Sequence, residues 1–200
     1  MVTEQNVLDF WYGPLREDGS VAPDRAKRWW KKDPSFDALI AEQFGETLAA
    51  ARRGECEHWA TTPEGRTALV ILLDQFSRNA HRDTPDAFAA DPRALSHASA
   101  AADAGELLRL PALYGYFLLM PFMHSEDIAT QERGVALFSE LANATPAGPP
   151  KQSLVGAVDF AKRHRDIVQR FGRFPHRNAI LGRESSAEEV EFLKQPGSSF

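Results

Sequence analysis

Three short stretches of this 200-residue chain carry side chains able to do chemistry: Leu73 to Asn79, Met120 to Glu126, and His164 to Arg183. Histidines and a carboxylate within them (His124, Glu126 and His164) are the residue types that move protons. Arginines within them have planar forks that grip carboxylates or phosphates in two-pronged fashion. Each stretch abuts a run apolar enough to be buried, which places its charges at the edge of a core. Charges held there are costly unless they find partners. A chain that accepts this three times either builds a site or neutralises its charges internally.

In the first stretch, Asp74 and Arg78 are spaced i, i+4, as are Gln75 and Asn79, so each pair is expected to share a helix face. These four are candidate ligand-binding residues. The competing reading is an Asp–Arg pair with capping groups that satisfy a helix end. The second stretch, His124-Ser125-Glu126, is not a serine-hydrolase triad, because adjacent residues do not face one another. Ser125 is expected to cap the next helix, leaving His124 and Glu126 at a helix start that favours negative charge. A structural His124 bonded to a backbone carbonyl is the alternative.

The third stretch holds five arginines against Asp166, a formal +4 in a chain of net charge −5. Arg173, His176, Arg177 and Asn178 lie in a segment that follows the helix-ending Gly172 and contains Pro175, expected to be a rigid loop of the kind that presents functional groups. His164 shares a stripe with Phe160, Ile167 and Phe171, so it is either a satisfied core residue or a proton-transfer group. The acids at hand for internal neutralisation are Asp74, Glu126 and Asp127. Phe76-Ser77-Arg78-Asn79 faintly echoes Phe174-Pro175-His176-Arg177-Asn178, which suggests two similar turns meeting at one place.

Other functions lack their marks. The six histidines show no metal-ligand spacing and the only cysteine, Cys56, is remote, so no metal is expected. No glycine-rich phosphate loop appears, and no cofactor is expected. The net charge argues against nucleic acid. The most apolar window, Leu110 to Met123, holds two prolines and falls short of the ~20 residues that span a bilayer. The start lacks a signal peptide's pattern, and one cysteine forms no internal disulfide, so a soluble, cytoplasmic protein is the default expectation.

The elements that must position these residues read as helices throughout. Val7, Phe10 and Trp11 mark an opening helix, Pro23 and Asp24 start a second, and Ser35 precedes the stripe Phe36, Leu39, Ile40, Phe44 and Leu48. Thr62-Pro63 is an N-cap and first-turn pair, a device that Asp91-Pro92 repeats. Leu69 to Leu73 is apolar on all sides and belongs at the centre. Pro121 should kink or end the helix from Ala112. A helix from Ser125 to Leu141 turns Ile128, Val135, Phe138 and Leu141 inward. Ser153 caps the next, and Ser185 or Ser186 opens the last with a glutamate three residues on. Trp11, Trp29, Trp30 and Trp59 fill the core between the early helices. The fold class is all-α, about eight to ten helices, in a single domain over 1–200. The proline-rich loop within 143–152 is a candidate lobe boundary. No internal repeat of tetratricopeptide length is visible.

At Val7-Leu8-Asp9-Phe10-Trp11-Tyr12-Gly13, Trp29 to Phe36, Leu72 to Asn79, Phe122 to Glu126 with Gln131, and Phe171 to Arg183, the chain resembles the bacterial domain-of-unknown-function family numbered nine hundred and twenty-four. The resemblance runs from about Val7 to Leu193 and rests on Leu-Asp-Gln-Phe, His-Ser-Glu and Gly-Arg-Phe-Pro-His-Arg-Asn in that order. It implies a tetratricopeptide-like array of antiparallel helix hairpins in a right-handed superhelix, and no established activity. Ser77 stands where that pattern usually has proline, which loosens the turn expected after Phe76.

Two functions are in contention. In the first, a small anionic or polar ligand sits where the three stretches meet. Arg78, Arg173 and Arg177 hold it, Asn79 and Asn178 orient it, and His124, Glu126 and His164 move protons, as in a cofactor-independent hydrolase or transferase. In the second, a concave helical surface binds a peptide or partner protein.

Overall fold

The structure, a computed structural model, describes residues 2–199; the two end residues of the expected 1–200 domain lie outside it. Every regular element among the described residues is helical. The α-helices are α1 (Glu4–Trp11), α2 (Pro23–Trp30), α3 (Pro34–Arg52), α4 (Pro63–Val70), α5 (Ser77–Ala80), α6 (Asp91–Asp103), α7 (Ala112–His124), α8 (Ile128–Ala144), α9 (Pro149–Phe171) and α10 (Ala187–Phe192). A π turn, Ile71–Phe76, joins α4 to α5 without a break.

Most helix boundaries follow local chemistry. The Thr62 hydroxyl accepts from the Gly65 N–H at the start of α4, and Ser186 with Glu189 forms a reciprocal capping box at α10. Gly172 closes α9 with φ of +69°, a conformation that glycine adopts without steric cost. Asp33 caps α3 by accepting from the Ser35 and Phe36 N–H groups. Three expected caps are replaced. Asp127, not Ser125, caps α8, because its carboxylate takes both the N–H and the hydroxyl of Thr130. Gly148 precedes α9, where prolines preset the first turn and Ser153 instead returns its hydroxyl to the Pro149 carbonyl. Asp91 is the first residue of α6 and caps nothing, since its carboxylate is drawn to arginines.

The core explains the remaining departures. Leu69 through Leu73 are wholly buried, so α4 and the π turn run through the centre, against α1, α6 and α7. With neighbours on all sides, the chain stays helical past Phe76 to Ala80, and no turn forms at Ser77. Likewise α7 passes through Pro121 to His124. Pro121 lacks the N–H that would bond the Phe117 carbonyl, yet burial of Gly115 through Met123 holds the helix together. Along α8, Phe138 and Leu141 are buried and Val135 half-buried, but Ile128 is exposed at the helix mouth. Gly134 lets α8 approach α7 closely: a Cβ there would lie 2.8 Å from Phe122 Cβ. Trp11 and Trp59 are core residues, Trp29 is half-buried and Trp30 is exposed. One large apolar cluster runs from Val7 to Ala161, and a small second one holds Ile167, Val168 and Phe174.

Candidate functional site

The π turn sets the site's floor. Such turns widen the helix and recur at functional positions. Here the turn buries two consecutive polar residues, Asp74 and Gln75, in apolar surroundings. Gln75 Nε2 donates to Asp74 Oδ2 at 2.6 Å. Asp74 Oδ1 lies 2.9 Å from Arg78 Nη1 and 2.7 Å from His124 Nδ1. The two i, i+4 pairs therefore part company. Asp74 and Arg78 do meet, whereas Asn79 donates to Asp37 of α3, which also receives both forks of Arg82.

His124 comes to Asp74 from the end of α7. Burial alone would raise the Asp74 pKa, but Arg78 and His124 outweigh it and hold the carboxyl down at about 2. Burial, then the Arg78 charge, lowers the pKa of His124. A carboxylate only accepts, so Nδ1 of the neutral imidazole carries the proton and Nε2 keeps its lone pair. His164 of α9 is set in the same way. Its Nδ1–H donates to the Phe160 carbonyl at 2.8 Å, and burial takes its pKa to about 3. The two imidazoles stand 6.4 Å apart between ring centres. Burial and the adjacent Arg177 bring His176 to about 4.

Two cavities flank this group. A cleft of about 930 Å³ runs between α2, α5, α7, α9 and the turn at 175–177, with Gln75, Arg78, Asn79, His124, His164, His176 and Arg177 on its wall. A second cavity of about 420 Å³ lies behind, lined by Asp91, Ser125 and Glu126 among others. His124 and Arg177 face both.

The arginines differ in how the protein treats them. Arg78 bridges Asp74 and Asp91, making two parallel bonds of 2.9 and 3.0 Å to Asp91. Arg177 Nη1 is 3.6 Å from the same Asp91, too far for a hydrogen bond, and its Nε is buried without one among the described residues. Its faces are covered by the rings of Phe88 and Phe174, each 4.6 Å away. Burial first, then repulsion from Arg78, lowers its pKa to about 10, whereas those of Arg78 and Arg173 are raised. The echo between the segments around Phe76 and Phe174 ends at one spot, since Arg78 and Arg177 both reach Asp91 and Phe88.

Other expected site residues serve as braces. Arg173 lines neither cavity; it grips Glu189 through two bonds of 2.7 and 2.8 Å and also donates to the Glu184 carbonyl. Glu126 accepts from the Phe174 N–H and from both ends of Arg183, which lowers its pKa against the effect of burial. Asn178 is buried between Ser185 and Arg183. Internal neutralisation thus draws on Asp91, Glu188 and Glu189 as well as on Asp74 and Glu126, while Asp127 caps α8. Sequence reasoning missed Asp91, which resembles a cap, and Phe88, Tyr116, Met120 and Met123, which resemble core. Only Arg183 carried a signal, as part of the basic run.

Among the described residues, no helix is long and apolar enough to cross a membrane, and no three metal-ligating side chains cluster. No curated protein matches the chain. A solved structure of a protein of unknown function from Agrobacterium tumefaciens is similar, with 37% identity, 96% of each chain covered and a TM-score of 0.78. The model of a family of bacterial proteins of unknown function, DUF924, matches residues 7–197. This chain, with its buried Asp74–His124 pair, belongs to the DUF924 family.

Proposed function

We propose that the larger cleft binds a small anion on Arg177 and Arg78, and that His124, held by Asp74, exchanges a proton with that ligand or with a water attacking it. Arg177 carries the reading. It is a buried guanidinium to which the described residues give a single loose ion pair and no side-chain hydrogen bond, so an anion would supply what it lacks. His124 Nε2 is the proton acceptor of this scheme and His164 the second neutral imidazole beside it. Asp74 fixes the tautomer and stabilises the imidazolium as it forms. Glu126, with both oxygens engaged, positions the loop that carries Arg177. This is the equipment of a cofactor-independent hydrolase or transferase acting on an acyl or phosphoryl group.

A peptide-binding scaffold is the second reading, favoured by Trp30 and Phe160, which remain 58% and 48% exposed at the cleft. The cleft volume fits a small molecule better. The test is isothermal titration with inorganic phosphate and acetate. The chain should bind at least one of them, and Arg177→Met should weaken that binding at least tenfold without lowering the melting temperature. Equal affinity in the variant would end the anion reading and leave the scaffold.

A further inference from the structure

The cleft has two chemically different ends. The inner end is the polar group of Arg78, Arg177 and the imidazoles. The outer limb is walled by Tyr116, Met120 and Met123 of α7, Trp30 of α2 and Phe160 of α9. Burial raises the Tyr116 pKa, so the phenol stays neutral. Asp83 is the acid on the cleft's lining, and it is exposed and paired with Lys32 at 3.0 Å. Lys31 and Arg82 also line the cleft, with Arg82 held by Asp37.

Gly156 gives an independent indication. It lies well inside α9, where glycine weakens a helix, and its backbone has no positive φ that would require glycine. No neighbouring helix presses on it either, because an added Cβ would meet nothing within 4 Å. What the missing side chain provides is space, and Gly156 lines the cleft. Ala157, also on the lining, keeps the same wall low.

Building on the anion reading above, we infer that the ligand is an amphiphilic anion. A carboxylate or phosphate head sits on Arg177 and Arg78, and an unbranched or aromatic apolar body lies along Tyr116, Met120, Met123 and Gly156. Burial of such a body strengthens binding roughly fourfold per methylene removed from water. The polar end alone would take acetate and octanoate equally.

The test titrates the full chain with acetate, octanoate, octyl phosphate and octanol, following heat and the fluorescence of Trp29 and Trp30. Octanoate or octyl phosphate should bind at least about 30-fold more tightly than acetate, the tighter of the two identifying the head group. Octanol should bind more weakly than either. Gly156→Leu, which favours the helix and fills the limb, should bring the octyl anions to within about threefold of acetate and leave the acetate affinity unchanged. Equal affinity for acetate and octanoate, or octyl-anion binding that survives Gly156→Leu, would overturn the amphiphile and keep the anion site. Octanol binding as well as octanoate would remove the anion and leave the apolar limb. No binding by any of the four would remove both readings.

Discussion

Arg173 and Arg177 stand four residues apart in one basic run, yet they belong to different kinds of region. Arg173 is part of a collar in which acids answer each cation: Glu189 holds Arg173, and Glu126 holds Arg183 and the Phe174 N–H. Arg177 belongs to the cleft, where among the described residues it has one loose ion pair, with Asp91, and two aromatic faces. The collar fixes the segment after α9; the cleft wall holds Arg177 and three histidines whose pKa values burial lowers. Charge density in a sequence therefore does not mark a site. The proposed site rests instead on a charge that the fold leaves loosely paired.

Acid should separate the two regions, with the largest effect. His164 and His176 have folded pKa values of about 3 and about 4, below the ordinary 6.5. The unfolded chain then binds protons that the folded chain does not, so stability is full above pH 6.5 and falls as pH drops toward 4. Each histidine contributes a slope of up to about 1.4 kcal/mol per pH unit. The collar carboxylates Glu126 and Glu189 are lowered instead, and their contribution is lost only below the ordinary 4.5. Chemical denaturation from pH 7.5 to 5 should show the first loss alone, and His164→Gln should make the slope shallower, leaving the share of His176, His124 and His97. A flat profile across that range would mean that the cleft histidines are not held neutral.

Next in size is Asp74→Asn, which strips the buried counter-charge from His124 and Arg78. It should cost about 3 kcal/mol, a melting temperature about 6–12 °C lower. A loss below about 1 kcal/mol would equate this buried group with surface ion pairs. Glu126→Gln loosens the collar and should cost about 1–2 kcal/mol, discounted for its partial exposure. Anion affinity measured by titration should fall less in that variant than in Arg177→Met, as expected of a brace that positions the Arg177 loop without holding the ligand. A fall as large as that of Arg177→Met would merge the two regions into one. Smallest is Arg170→Ala at the collar's rim, where the partner Glu188 is solvated. The melting temperature should move by no more than about 1 °C.

Much of the architecture was legible because its signals are local. Apolar residues three and four apart, Thr62-Pro63, Ser186 with Glu189, and Gly172 announce helices and their ends. Legibility failed where two local devices competed. Ser125 and Asp127 are equally plausible caps until the backbone decides. The π turn had no signature, because a run apolar on every side has no period to disturb. The polar candidates Asp74, Arg78, His124 and Arg177 were visible as charges beside buried runs. Asp91 was not, since an acid at a helix start already has a local explanation.

Helical periodicity and the position of three polar stretches beside apolar runs are properties of neighbouring residues, and the amino-acid order alone establishes them. Which arginine is answered and which is left wanting depends on acids distant along the chain, such as Asp91 for Arg177 and Glu126 for Arg183. Counter-charges act through space over a few ångströms. Only the packing of α6, α7 and α9 around the π turn could therefore make a brace of Arg183 and leave Arg177 facing a cleft.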